Sequence, residues 1–255
     1  MDRVLRVAVL IPSPPVLVPE LCGGSPDREP GHPAAEVPPL RAAVLRAGAT
    51  LAEAAQRWTV VGVGEHDRVV EADAVGTFRG FGADVRVGLS ADATADPDPA
   101  LPLPVLLGGW LREICAPAAT ARARIVAADT PPARCRELGA RLRAELDSRP
   151  GADGVLVVAD GAATLTAAAP GYLDERAPAV QRDLDRALCS GDRAALRALD
   201  PALCAELELA GRAAYQVLDG LFDADPAEPR VESGYAAAPF GVGYHVGEWW
   251  PGGAR

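Results

Sequence analysis

Short apolar, β-branched runs recur along this chain with helical segments between them, and that alternation limits the fold more than any other feature. Val4 to Ile11, Trp58 to Val63, Arg124 to Ala128 and Gly154 to Ala159 are such runs. They are close to continuously apolar, as in strands covered on both faces of a largely parallel sheet. A further short strand is expected at Asp84 to Leu89. Apolar residues at helical spacing predict helices over Leu40 to Arg57, Val105 to Cys115, Pro132 to Ser148 and Asp174 to Cys189. A helix restarts at Gly191-Asp192 and runs to Leu199, and Pro201 opens another reaching about Phe222. The chain closes on two strands, Val231 to Ala237 and Val242 to Trp249, joined through Pro239-Phe240-Gly241. Leu21 to Pro39 and Ser90 to Pro104 read as loops. The whole predicts an α/β fold: a three-layer α/β/α sandwich around a mixed, mostly parallel sheet, one domain over residues 1–255.

Composition excludes several chemistries. The 25 basic residues are all arginine; lysine and asparagine do not occur in the 255 residues. Schiff-base lysines, Walker A lysines and lysine general bases are therefore excluded, and with them pyridoxal enzymes, P-loop NTPases and protein kinases. The net charge of -10 repels a phosphate backbone, and no local basic patch offsets it, so nucleic acid is not an expected partner. The five cysteines are odd in number and widely spaced, with no CxxC. They predict buried thiols in a reducing cytoplasm, not a disulfide framework. The apolar start ends at Pro12-Ser13-Pro14-Pro15 without a cleavage site, which reads as a first strand and not a signal peptide. No stretch is long enough to span a bilayer, so no membrane is expected.

In open α/β sheets, ligands bind beyond the carboxyl ends of the strands. That rule selects the segments Pro12–Pro19, Gly62–Asp67 and Asp160–Thr166. Gly62-x-Gly64 lacks the third glycine and helix start of a dinucleotide loop and reads as a packing turn. No GxSxG elbow occurs, and Ser13, between prolines, reads as a turn serine. Of the three histidines, His32 lies in a Pro-rich loop, and His66 follows a buried strand between Glu65 and Asp67. His245 shares a strand face with Gly243, Gly247 and Trp249, where the glycines allow a helix or a ligand to come close.

Several of these segments together suggest a family. Val9-Leu10-Ile11-Pro12-Ser13-Pro14-Pro15-Val16-Leu17-Val18-Pro19-Glu20 resembles the opening of class III extradiol ring-cleavage dioxygenases of the B type, which read Pro-His-Pro-Pro there. The resemblance continues at Ala168-Ala169-Pro170-Gly171-Tyr172-Leu173-Asp174, at Leu209-Ala210-Gly211-Arg212 and at Pro239-Phe240-Gly241-Val242-Gly243-Tyr244. It is nearest to an actinobacterial branch of that family and more distant from Memo-type proteins. It implies the same three-layer fold, non-haem Fe(II) held by two histidines and a glutamate, and a further histidine as acid/base. Such a two-histidine, one-carboxylate site with open positions suits O₂ chemistry.

Carried over residue by residue, the first ligand histidine falls on Ser13 and the second near His66. The catalytic histidine belongs in Asp160–Thr166, which holds none, and the carboxylate ligand falls on Glu206 or Glu208. The expectation is a B-type dioxygenase-like protein that has lost its iron chemistry. It binds a small molecule, aromatic or otherwise, in a pocket around Ser13, His66, Asp160, Thr164 and His245. Two alternatives remain at the level of sequence. One is an active Fe(II) extradiol dioxygenase using His66, His245 and a carboxylate from Glu65, Asp67 or Glu248. The other is a non-catalytic subunit, in a homodimer or beside a partner chain.

Overall fold

A computed structural model of the chain describes residues 4–22 and 33–252. In chain order its elements are β1 (Leu5–Ile11), α1 (Val37–Ala54), β2 (Arg57–Gly64), β3 (Arg68–Val70), β4 (Val75–Thr77), β5 (Arg86–Gly88), α2 (Leu103–Cys115), β6 (Thr120–Ala127), α3 (Pro132–Asp147), β7 (Asp153–Val158), α4 (Ala177–Ser190), α5 (Arg193–Arg197), α6 (Pro201–Glu206), α7 (Arg212–Leu221), β8 (Arg230–Ala237) and β9 (Tyr244–Trp250). Seven strands form one sheet in the order β3-β6-β2-β7-β1-β9-β8. The central four, β6, β2, β7 and β1, are parallel. The strands β3, β9 and β8 add antiparallel edges. The result is the mixed three-layer α/β/α sandwich that the alternation of strands and helices predicts.

Each face of the sheet carries its own core. Val7, Val9, Ile11, Trp58 and Val60 pack against α1 and α2. Leu10, Val61, Val155 and Val157 pack under α3, α4 and α7. Every residue of β7 is buried, as a strand with neighbours on both sides and helices on both faces must be. The strand β6 starts at Thr120, ahead of the Arg124 that the sequence suggests, because it alternates: Ala121, Ala123 and Ile125 face one core. Arg122 and Arg124 instead reach Glu145 on α3, at 2.7 and 3.1 Å.

Other departures have local causes. Helix α1 begins at Val37, before the expected Leu40, with Pro38 and Pro39 in its first turn, where a missing N–H costs nothing. Helix α4 begins at Ala177, after Asp174, whose carboxylate accepts from the Arg176 amide and guanidinium. The three-residue strands β3 and β4 are too short to show periodicity, and the expected Asp84–Leu89 strand narrows to β5, paired with β4 in a small separate sheet. The expected single helix from Pro201 to Phe222 is two helices. The chain leaves α6 at Leu207, Glu208 takes a positive φ of 49°, and Gly211 donates its N–H to the Asp160 carbonyl (2.9 Å) before α7 starts. His32 lies outside the described residues. Among the described residues no helix is long and apolar enough to cross a membrane.

Helices α3 and α7 cross in backbone contact at two glycines. A methyl group on Gly139 would run into the Val217 carbonyl and come within 2.7 Å of the Leu221 amide nitrogen, and one on Gly220 would meet the backbone of Arg136. Gly139→Ala is expected to cost about 1–3 kcal/mol or more, since backbone cannot yield as a side chain does. A urea midpoint unchanged from the parent would refute the tight crossing.

Candidate functional site

A pocket of about 650 Å³ opens beyond the carboxyl ends of β1, β2 and β7, the location the strand-end rule selects. Its floor is built by two neighbouring strands. In the sheet Ile11 of β1 lies beside Val158 of β7, and the Ala159 amide continues the pairing onto the Ile11 carbonyl at 3.0 Å. Pro12 and Pro14 fix φ and lack an N–H, so β1 stops pairing and the chain turns away at Ser13. Asp160, two residues past β7, then meets Ser13 across the strand ends. It accepts the Ser13 amide on Oδ1 (2.7 Å) and the Ser13 hydroxyl on Oδ2 (2.5 Å). Burial pushes the Asp160 carboxyl above its usual range, opposed by these two hydrogen bonds.

Helix α7 closes the floor from below. Its first residues follow Ala210 and Gly211, both lining the pocket, and the Tyr215 hydroxyl donates to the Ala159 carbonyl (3.0 Å). The opposite wall is apolar: Val63 from β2, Ile125 from β6, and Pro102, Leu103 and Pro104 at the start of α2. Gly62 is indeed a packing position, for a methyl group there would collide with the Pro104 ring. At the rim, Glu65, His66, Asp67 and Arg68 are exposed. Asp67 pins the turn by accepting the Ala127 amide (2.8 Å), and Arg68 pairs with Asp98 (3.0 Å).

Ser13, His66 and Asp160 thus line one pocket, and the other sequence-selected residues lie elsewhere. Thr164 is buried and donates to the Leu207 carbonyl (3.3 Å), outside the pocket lining. His245 is 2% exposed on the α4 side of the sheet. Trp249, on the same strand face, donates its indole N–H to the Leu188 carbonyl of α4 (3.0 Å), and a methyl group on Gly243 would collide with Gln181 of α4. Gly243 therefore admits a helix, whereas a methyl group on Gly247 would come within 2.9 Å of the His245 ring and 3.0 Å of the Glu232 carbonyl on β8. Glu206 is exposed and paired with Arg176 at 2.6 Å, and Glu208 sits in the turn between α6 and α7, lining a separate, smaller pocket of about 300 Å³. Glu248 pairs across the sheet with Val9 of β1, away from the strand-end pocket.

Neither the ligand set carried over from the family, with positions at Ser13, His66 and Glu206 or Glu208, nor the alternative set of His66 and His245 with a carboxylate comes together in this geometry. His66 stands at the rim, His245 under α4, and among the described residues no three His, Cys, Asp or Glu side chains lie close enough to hold a metal ion. Ser13, where the resemblance puts a histidine, spends its hydroxyl hydrogen on Asp160.

Comparison with known proteins bears on the fold. No family model matches the chain, and no curated protein sequence matches it. A solved structure does: the crystal structure of an uncharacterized protein, JW3007, from Escherichia coli K12, superposes with a TM-score of 0.55 over 96% of this chain and 99% of that one, at 13% identity. The likeness shows the fold alone.

Sequence reasoning missed the wall formed by Pro102, Leu103 and Pro104, which fell inside an expected loop, and the contribution of Ala210 and Gly211. The signal for the first was present: proline at the opening of an apolar run is a helix start. For the second, the segment Leu209-Ala210-Gly211-Arg212 stood out only through the family resemblance, and its place in the pocket depends on the break before α7 that brings Gly211 against Asp160.

Proposed function

We propose that this chain is a protein like the B-type class III extradiol dioxygenases whose strand-end pocket binds a small molecule and does not cleave rings through iron. The observation that carries the reading is the pocket floor. There a serine hydrogen-bonded to an aspartate stands at the position the resemblance gives to a ligand histidine. The volume of about 650 Å³ falls in the range of small-ligand sites. Val63, Leu103, Pro104 and Ile125 suit the body of an aromatic or other apolar ligand, while Asp160 keeps lone pairs for a hydroxyl or amine donor on it. The five cysteines stand as free thiols, which supports the cytoplasmic placement, although only Cys135 and Cys204 are buried as expected, Cys22 and Cys115 being half-buried and Cys189 exposed.

Two measurements test this. Protein loaded anaerobically with Fe(II) and desalted is expected to carry no stoichiometric iron. Stoichiometric iron, with catechol-dependent O₂ uptake lost in His66→Ala, would replace this reading with that of an active dioxygenase using an altered ligand set. In a thermal-shift screen of small aromatic alcohols, acids and amines, a ligand at about 100 times its Kd is expected to add about 2.7 kcal/mol, a rise of roughly 5–10 °C for a chain of this size. Ala210→Trp, which fills the pocket from an exposed position, is expected to abolish that rise. A rise that survives the substitution would place the ligand elsewhere.

A further inference from the structure

We propose that Ser13 is a nucleophile activated by Asp160, and that the pocket hydrolyses small carboxylic esters by acyl transfer to water. This rests on the small-molecule reading of the same pocket. The Ser13 amide already ties the end of β1 to Asp160 at 2.7 Å, so the second bond, from Oγ to Oδ2 at 2.5 Å, is not needed to join the strands. Both side chains line the cavity. A serine that donates its hydroxyl proton to a carboxylate at the wall of a pocket is the arrangement in which an adjacent base raises nucleophilicity. Burial makes Asp160 a stronger base than a solvated aspartate. The ten-residue α7 starts at the same wall, where Ala210 and Gly211 line the pocket. The Gly211 amide is held by the Asp160 carbonyl (2.9 Å), so this end of α7 offers a developing oxyanion the positive end of its dipole and not that N–H.

In the first step the Ser13 Oγ–carbonyl carbon bond forms and the hydroxyl proton passes to Asp160. The tetrahedral species collapses by breaking the ester C–O bond, and the leaving alcohol takes the proton from Asp160. Water then attacks the acyl-serine, giving its proton to Asp160. The acid departs as the Ser13 Oγ–carbon bond breaks, and the proton returns to Ser13. Ester and water become alcohol and carboxylic acid, with no other reactant.

The test is an alkyl fluorophosphonate on the full chain, read by intact mass and peptide mapping. The expected adduct forms by an Oγ–P bond replacing P–F, with loss of HF. The chain has no lysine to give background. One adduct on the Ser13 peptide is expected, absent in Ser13→Ala and formed about 10²–10⁴-fold more slowly in Asp160→Asn. Hydrolysis of p-nitrophenyl acetate should fall in step in both. No adduct on the parent protein, an adduct at another residue, or an unchanged rate in Asp160→Asn would overturn the proposal, and mapping on the parent protein decides it even where a variant misfolds. If ligands still shift the melting of the parent and of Ser13→Ala while no adduct forms, the nucleophile fails and the binding site stands. If neither adduct nor ligand shift is seen, both fail.

Discussion

Asp219→Ala is expected to lower stability by about 3–5 kcal/mol, which for a chain of this length is roughly 10 °C in Tm. Asp219 lies on α7 with no solvent exposure, and its carboxylate holds three arginines from two other helices. Arg197 of α5 donates through Nε and a terminal nitrogen, both at 3.0 Å, Arg193 of α5 donates at 3.3 Å, and Arg136 of α3 stands at 3.1 Å. Removing the carboxylate leaves three cations facing one another over a dry floor. Arg136 and Arg197 reach solvent in part and Asp223 shares the load, so the loss belongs at the lower end of the range. The surface pair Asp183–Arg186, with both side chains about 70% exposed, is the contrast: Asp183→Ala should stay within about 0.5 kcal/mol. Urea unfolding of the two variants checks both, and equal small effects would mean that the Asp219 cluster contributes no more than a surface pair.

The second large effect is on acid stability. His245 is buried with neither ring nitrogen hydrogen-bonded, and burial lowers its pKa from 6.5 to about 4. The unfolded chain takes up a proton at this residue below pH 6.5, and the folded protein does not until about pH 4. Stability contributed by the neutral ring is therefore present above pH 6.5 and lost progressively between 6.5 and 4, by roughly 3 kcal/mol in full. Three carboxyls act the other way: burial raises Asp160, Asp185 and Glu248 above their usual range, so their contribution grows as pH falls and opposes the trend. The informative quantity is therefore the difference between the parent and His245→Leu. The variant is expected to gain on the parent as pH falls from 6.5 to 4. Stability curves that stay parallel across that window would show that the ring is protonated in the fold or solvated.

How much of this was legible in the sequence depends on the range of the interaction. The runs at Val4–Ile11, Trp58–Val63 and Gly154–Ala159 announced their strands because a strand covered on both faces needs apolar residues at nearly every position, with Arg6 and Thr59 the polar exceptions here. The start of β6 was hidden because Thr120 and Arg122 are polar, Arg122 for a distant reason, the carboxylate of Glu145 on α3. The break between α6 and α7 was hidden because apolar spacing runs through it, and the cause of the break, Gly211 against the Asp160 carbonyl, is a tertiary contact.

The site divides the same way. Local chemistry marked Ser13, His66 and Asp160, since each follows a strand-like run at a turn. Whether Thr164, His245, Glu206 and Glu208 joined them was a question of which face and which layer each side chain took. One step along β9 turns a side chain from one core to the other, and Glu206, the last residue of α6, points to Arg176 at the surface. Composition and periodicity by themselves determined the layers, the strand directions' dominant sense and the chemistries that a chain without lysine cannot perform. Only the tertiary structure decided that Ser13 and Asp160, 147 residues apart, share a hydrogen bond, because strand order in a sheet is set by packing between distant segments and leaves no mark on either one.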